Sequence, residues 1–388
     1  MQKKLIALAI AGLVSAPVFA QSNVTVYGVV DAYFGYGKYD DNKFTGVSSG
    51  GLAGSRIGFR GTEDLGNGLK GVFTLEYGID IDQNEGIGSR GTAKNSATRA
   101  RQQFVGLQGD FGFVGLGRQY SPGYWTSAKY DAIPTVPFSP QFLLANTLGS
   151  NIVAGSAARV SNSVNYKSPN WGGLTLNAIY GFNEENQDNN RRSGDLAAIG
   201  ADYSNGPLGI GLVYSQVKQD AGTIGTEKFQ PANIGSGVTV TGVDPVNGFV
   251  TGTPVGLTTA DKTKKEWYLG AGYDLGMVKL VASYQQIKDA TVAEDKDKVW
   301  QVGAVVPVSA AGKLHASYGR ISADANNLDS SAATLLYSHG LSKRTTVYTG
   351  LSMIDNDDAA AITSQAKTTG QSLGEKDKNF FVGLNHTF

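Results

Sequence analysis

Residues 73–81 read Phe-Thr-Leu-Glu-Tyr-Gly-Ile-Asp-Ile, so Phe73, Leu75, Tyr77, Ile79 and Ile81 share one parity and Thr74, Glu76, Gly78 and Asp80 the other. Successive side chains of a strand point to opposite faces, which leaves this segment with one apolar face and one wet face. The alternation recurs about every twenty residues between short Gly, Asn and Asp turns, and no helix-period segment is available to cover an oily face. A sheet of that extent closes on itself and turns its apolar side to lipid.

Sixteen such runs occur, at about 23–36, 51–62, 69–82, 99–109, 113–119, 158–168, 173–184, 195–204, 207–218, 264–274, 277–288, 298–308, 312–323, 331–341, 343–354 and 378–388. An even number is what a single-chain antiparallel barrel with both termini on the periplasmic side requires. The connections form two alternating classes. Those at 62–68, 109–112, 169–173, 204–207 and 274–276 are tight turns carried by Gly, Asn and Asp, and belong to the periplasmic rim. Longer ones at 37–50, 83–98, 120–157, 219–263 and 355–377 belong outside the cell; the Val/Thr/Gly-rich stretch 233–259 reads as exposed loop.

Residues 1–20 carry Lys3 and Lys4, an apolar run from Leu5 to Val14, Pro17, and Val18-Phe19-Ala20 before Gln21. This is the pattern of a secretory signal peptide cut after Ala20, and the run is too short to span a bilayer as a helix. The exported chain is then 21–388, one all-β domain. It has no Cys, so the fold rests on its hydrogen-bond ladder rather than on disulfides. Its 52 glycines suit tight turns and close strand packing. Without Lys3 and Lys4 there are 31 basic residues against 33 acidic ones, which gives no case for nucleic-acid binding.

Several stretches, taken in order, resemble the general trimeric porins of Gram-negative outer membranes, in their betaproteobacterial branch. They are Val26-Tyr27-Gly28-Val29-Val30-Asp31, the run from Ser55 through Arg60-Gly61-Thr62-Glu63-Asp64 to Gly66, Phe104-Val105-Gly106-Leu107, Gly117-Arg118-Gln119, Leu341-Ser342-Lys343-Arg344-Thr345 and the terminal His386-Thr387-Phe388. The resemblance spans the whole exported chain. It implies a sixteen-stranded homotrimeric channel for small hydrophilic solutes and ions, integral to the outer membrane, whose third long loop folds inward to narrow the pore. It also implies that a final strand ending in Phe388 is the signal read by the barrel-assembly machinery.

Strand parity places the charges of the inner wall. With Ile57 and Phe59 facing lipid, Arg56 and Arg60 turn inward. Phe104 read as outward turns Arg101 and Arg99 inward, and Val160, Val164 and Tyr166 read as outward leave Arg159, Ser161, Ser163 and Lys167 inside. In the resembled family, arginines at the positions of Arg56, Arg101 and Arg159 line the constriction and act as field charges. A second reading of the same residues pairs some of them with Glu76, Asp80 or Asp31, merely solvating the lumen.

The segment 120–157 holds Pro122, Pro134, Pro137 and Pro140, which stiffen it, and Phe138, Phe142, Leu143 and Leu144, which are best accommodated by packing on the inner wall. The family usually sets loop acids opposite the arginines. Here Asp131 is the one acid of the loop, and Lys129 two residues away nearly cancels it, so the eyelet leans towards anions.

Other patterns point away from chemistry. The stretch 370–374 fits the nucleophile-elbow expression but lies in a polar loop without strand-turn-helix context. His315, His339 and His386 lack metal-ligand spacing, and Glu85 stands where a calcium loop beginning at Asp80 needs Gly. The reading is therefore a passive channel rather than an enzyme. The alternative is an adhesin or receptor built from the long external loops.

Overall fold

The computed structural model describes residues 23–39, 42–83, 87, 100–134, 137–182, 194–219, 228–229, 238–243, 250–254, 262–289, 295–324, 328–358, 360–363 and 373–388. The leader expected at 1–20 and most of the loops expected at 83–98 and 219–263 lie outside the described residues, as does Arg99.

The first ten strands are β1 (Asn23–Tyr39), β2 (Asn42–Ser49), β3 (Arg56–Gly66), β4 (Leu69–Gly78), β5 (Ala100–Gly109), β6 (Gly112–Tyr120), β7 (Arg159–Lys167), β8 (Leu174–Gly181), β9 (Leu196–Asn205) and β10 (Leu208–Gln219). Three short strands, β11 (Lys228–Phe229), β12 (Val238–Val243) and β13 (Val250–Pro254), form a separate antiparallel sheet within the segment expected as loop. The wall resumes with β14 (Lys262–Asp274), β15 (Lys279–Asp289), β16 (Asp295–Pro307), β17 (Gly312–Ser322), β18 (Ser330–Gly340), β19 (Thr345–Asn356) and β20 (Asp377–Thr387). Between β6 and β7 lie two helices, α1 (Pro122–Lys129) and α2 (Pro140–Thr147).

Every wall strand pairs antiparallel with its sequence neighbour, and β1 pairs with β20 from Val29↔Thr387 to Tyr39↔Asp377. That last pairing closes the sheet and leaves no edge. Seventeen strand segments make sixteen staves, because β2 and β3 are two halves of one: β1 pairs with β3 through Val29↔Arg56 and with β2 from Ala32↔Ser49. The residues expected as loop 37–50 are thus largely hairpin. Their polar side chains, among them Lys38 and Lys43, hide strand character from an alternation rule, since both faces of a sheet meet water near its rim.

The break between β2 and β3 is fastened by Asp31. Its carboxylate accepts from the backbone N–H groups of Gly51 (2.8 Å), Leu52 (3.0 Å) and Ala53 (3.0 Å), the Tyr348 hydroxyl (2.6 Å) and the Asn385 amide (2.7 Å). A buried carboxylate with five donors is satisfied, and it is a structural anchor rather than the lumen-lining acid considered above. Gly51 is required there, because a Cβ would lie 2.0 Å from the Tyr348 hydroxyl oxygen.

Side-chain exposure follows parity. Phe34, Tyr36, Leu212, Leu269, Val302, Leu335, Leu351, Phe380, Val382 and Leu384 are large, apolar and exposed, while their neighbours of opposite parity are buried or half-buried. The buried apolar clusters lie on that second face, where strand residues meet the segment 120–157. Leu143, Leu144, Ala145 and Val153 pack with Val299, Ile321, Ala332 and Ile354; Ile133 and Phe138 pack with Tyr33, Leu336, Tyr348 and Phe381.

Candidate functional site: a basic cluster on the inner wall

Glu76 organises the inward face of β3, β4 and β5. Gly58 of β3 is its register partner, which sets Arg56 one step up the same face. Arg56 Nε lies 3.4 Å from Glu76 Oε2, Arg101 Nε donates to Glu76 Oε1 at 2.7 Å, and the Tyr27 hydroxyl donates to Oε2 at 3.0 Å. The Glu76 residue is 4% exposed. Arg101 also donates to the Tyr120 hydroxyl at 3.0 Å. The Arg159 guanidinium stands 5.3 Å from the Tyr120 ring centre, and that of Arg60 5.1 Å from the ring of Tyr27.

Tyr120 stacks on Tyr124 at 3.7 Å between centroids, and Trp125 meets both edge-on. Burial and the neighbouring Tyr120 push the Tyr124 hydroxyl up to about 12, so it stays protonated and adds no negative charge. Beyond it, Arg118 Nη1 donates to the Arg159 carbonyl at 3.2 Å and to Ser161 Oγ at 2.7 Å. Arg56 and Arg101 thus share a single carboxylate, and Tyr27 and Tyr120, which bond to that pair, carry Arg60 and Arg159 beside it, where charges interact more strongly than in bulk water.

Two β-bulges, invisible to a parity count, set this arrangement. Glu76 pairs with Gln102 but Tyr77 with Ala100, so Arg101 is the extra residue of β5 and is turned to the inner face. Phe104, expected outward, pairs with Thr74 on the inner face and meets Phe113 edge-on at 5.7 Å, while Val105 and Leu107 are the exposed residues. Arg101 therefore points inward because of the bulge and not because of Phe104. Likewise the β6–β7 pairing slips between Gly117 and Gln119, and Asn162 adopts φ 46°. Val160, expected outward, is consequently buried against Ile179, Leu196 and Ala198, and Arg159 reaches the cluster at the very start of its strand.

The segment 120–157 is held to the wall by hydrogen bonds as well as by its apolar clusters. Ser121 caps α1 by accepting from Tyr124 N at 3.4 Å, Ser139 caps α2 by accepting from Phe142 N at 3.0 Å, and each cap is followed by a proline in the first turn. Those two Ser-Pro pairs are the sequence signal for helices within a segment read as a stiffened loop. Ser150 and Asn151 donate to Glu266 of β14, the His315 ring of β17 bonds the Ala132 carbonyl at 2.9 Å, and the Thr334 hydroxyl of β18 donates to the Phe138 carbonyl at 2.6 Å. Phe138 stacks on Phe381 at 3.8 Å. Each of these wall residues has the parity opposite to the exposed apolar band.

Lys129 and Asp131 do not cancel each other. Lys129 pairs with Asp202 of β9 and donates to Ser204 at 2.7 Å. Asp131 is turned to the wall, accepting from Ser139, from Ile133 N at 2.9 Å and from Gln301 of β16 at 3.3 Å. Burial raises its carboxyl to about 6, opposed by the hydrogen bonds from Ser139, Ile133 and Gln301. Both loop charges are thus spent on docking the segment. The partners sequence reasoning missed are Tyr27, Tyr120, Tyr124 and Asp202, ring and acid positions with no local motif to announce them.

Residues 7–359 match the family described as Gram-negative porin. Outer membrane porin protein 32 of Delftia acidovorans is 31% identical over 402 residues that cover all of both chains, and an outer membrane porin protein of Bordetella pertussis is 27% identical over 96% of this chain and 99% of its own. Among solved structures, an anion-selective porin from Comamonas acidovorans superposes with a TM-score of 0.74 at 28% identity, over 95% of this chain and 100% of its own. The closed sixteen-stave wall, the apolar outer band and these relatives together establish that the chain belongs to the Gram-negative porin family, as an integral channel protein of the outer membrane.

Proposed function

We propose that this porin passes small hydrophilic solutes and ions by passive diffusion, selecting against size with the segment 120–157 and in favour of anions with Arg56, Arg60, Arg101 and Arg159. The observation that carries the reading is the charge count of the cluster. Glu76 is shared between Arg56 and Arg101, while Arg60 and Arg159 lie over tyrosine rings rather than against an acid. Lys129 and Asp131 are taken up at the wall, so neither offsets the arginines. The anion selectivity of the Comamonas acidovorans porin agrees with this.

Helices α1 and α2 make the segment stiff, and its contacts with residues of the inward parity support a position within the lumen, where it narrows the passage. Three chains assemble side by side, and Phe388, whose backbone pairs with Gly28 at the end of the wall, is the residue the barrel-assembly machinery reads. The test is liposome swelling with solutes of graded size and charge. Neutral sugars are expected to enter at rates falling steadily with size, and an organic anion faster than a cation of equal size. Saturation at low solute concentration, or faster entry of the cation, contradicts the proposal.

A further inference from the structure

The first helix of the segment 120–157 presents an aromatic face that its docking does not use. α1 lies on the wall through Pro122, Gly123, Thr126 and Ser127, which are buried; a Cβ at Gly200 of β9 would stand 2.7 Å from Pro122, and one at Gly211 of β10 2.5 Å from Thr126. Trp125 and Ala128 therefore occupy the opposite side of the helix, and Trp125 is 50% exposed. Its indole is 5.3 Å from both Tyr120 and Tyr124, whose rings are stacked 3.7 Å apart, and stands nearly perpendicular to each, at 79° and 88°. A ring equidistant from both members of a stack lies beside it, so the two phenol edges abut one face of the indole. The exposed half is the other face, a flat apolar platform open to water.

Beside this platform stands a cation without an acid. Arg159 is the register partner of Tyr120, and its guanidinium lies 5.3 Å from the Tyr120 ring centre. It donates to Ser156 Oγ at 2.8 Å, and its Nε is buried with no hydrogen-bond partner among the described residues. Tyr120 thus carries the guanidinium and the indole on one ring. Their relative position is fixed, because Ser121, the cap of α1, donates its backbone N–H to the Ala158 carbonyl at 2.9 Å, immediately before Arg159. A bare inorganic anion has no use for the indole, and a neutral ring has none for the guanidinium. A planar ring bearing a carboxylate uses both, stacking on one and pairing with the other.

We infer that Trp125 and Arg159 form a subsite in the passage for aromatic carboxylates, the ring lying on the indole and the carboxylate held by the guanidinium. The inference rests on the anion-passing channel proposed above and adds the class of organic anion it favours. The purified channel is placed in a planar bilayer, and block of its single-channel KCl current is titrated with sodium 3-phenylpropionate and with sodium 3-cyclohexylpropionate. The two carry the same charge, and the cyclohexyl compound is the more apolar, so burial alone would favour it. The phenyl compound is expected to reach half-block at a concentration roughly three- to tenfold lower. Trp125→Ala brings the two midpoints together and Trp125→Phe restores most of the difference, both with the wild-type zero-current potential under a KCl gradient, since Trp125 carries no charge. Arg159→Gln weakens block by both compounds. Equal midpoints in a chloride-preferring wild type, an undiminished difference in Trp125→Ala, or unchanged block in Arg159→Gln overturns this inference alone. A wild type that prefers potassium overturns the anion-selective reading and this inference with it.

Discussion

Glu76 shows how much of the site's field depends on one side chain. It is the carboxylate shared by Arg56 and Arg101, nearly shielded from water, and its removal leaves both guanidinium groups without their acid. Glu76→Gln is expected to move the channel further towards anions, seen as a larger shift of the zero-current potential towards the chloride value. Because a buried pair broken on one side is costly, the variant is also expected to lose on the order of 3 kcal/mol of local stability. Asp131 offers a second residue-scale prediction. Burial raises its carboxyl above the ordinary aspartate range to about 6, so its proton favours the folded state. The sign is that of an acid shifted upward: docking is strongest below the unfolded value and weakens as pH rises through about 6. Asp131→Asn should therefore unfold at a temperature whose excess over the wild type grows between about pH 4 and 7 and then levels off. A difference independent of pH, measured by circular dichroism, would show that Asp131 is not titrating against the wall.

At the scale of elements, the segment between β6 and β7 carries two helices and is fastened to the wall by apolar clusters. Phe138 is fully buried, edge-on to Tyr33 at 5.4 Å and stacked on Phe381. Truncating a buried Phe costs about 3–5 kcal/mol in a well-packed site. Phe138→Ala is expected to leave the barrel intact and to speed amide exchange of 130–145, while deletion of 134–142 raises single-channel conductance and admits larger sugars. An unchanged conductance in a folded deletion variant would place the segment away from the passage. The alternation rule found the staves because lipid on one side and water on the other impose a period of two. It missed β2, where both faces meet water near the rim, and α1 and α2, whose Ser121-Pro122 and Ser139-Pro140 starts are local signals outside that period. It also mistook Phe104, a large apolar residue on the inner face against Phe113, and Val160, where a bulge shifts the phase of what lies beyond it and leaves no mark in composition.

For the whole molecule, closure of β1 on β20 removes the sheet edges, and the apolar outer band with its inward polar face commits the chain to a membrane-spanning channel. Arg56 and Arg60 were legible in the sequence as inward charges, whereas Arg101 is turned inward by a bulge that parity does not reveal, and the balance of the cluster was not legible. Which acids remain in the passage depends on Asp31 tying the β2–β3 break, Asp131 turning to Gln301 and Asp202 meeting Lys129, all contacts between residues far apart in the chain. A trimer in mild detergent, read by light scattering, is expected for the assembled protein. The most direct measurement is the zero-current potential of single channels under a KCl gradient, recorded at low salt where screening is weakest. The wild type should lie towards the chloride value, and a variant with Arg56, Arg101 and Arg159 all replaced by Ser should shift towards the potassium value. A wild-type channel already preferring potassium, or a triple variant that does not shift, would contradict the basic cluster as the selectivity filter.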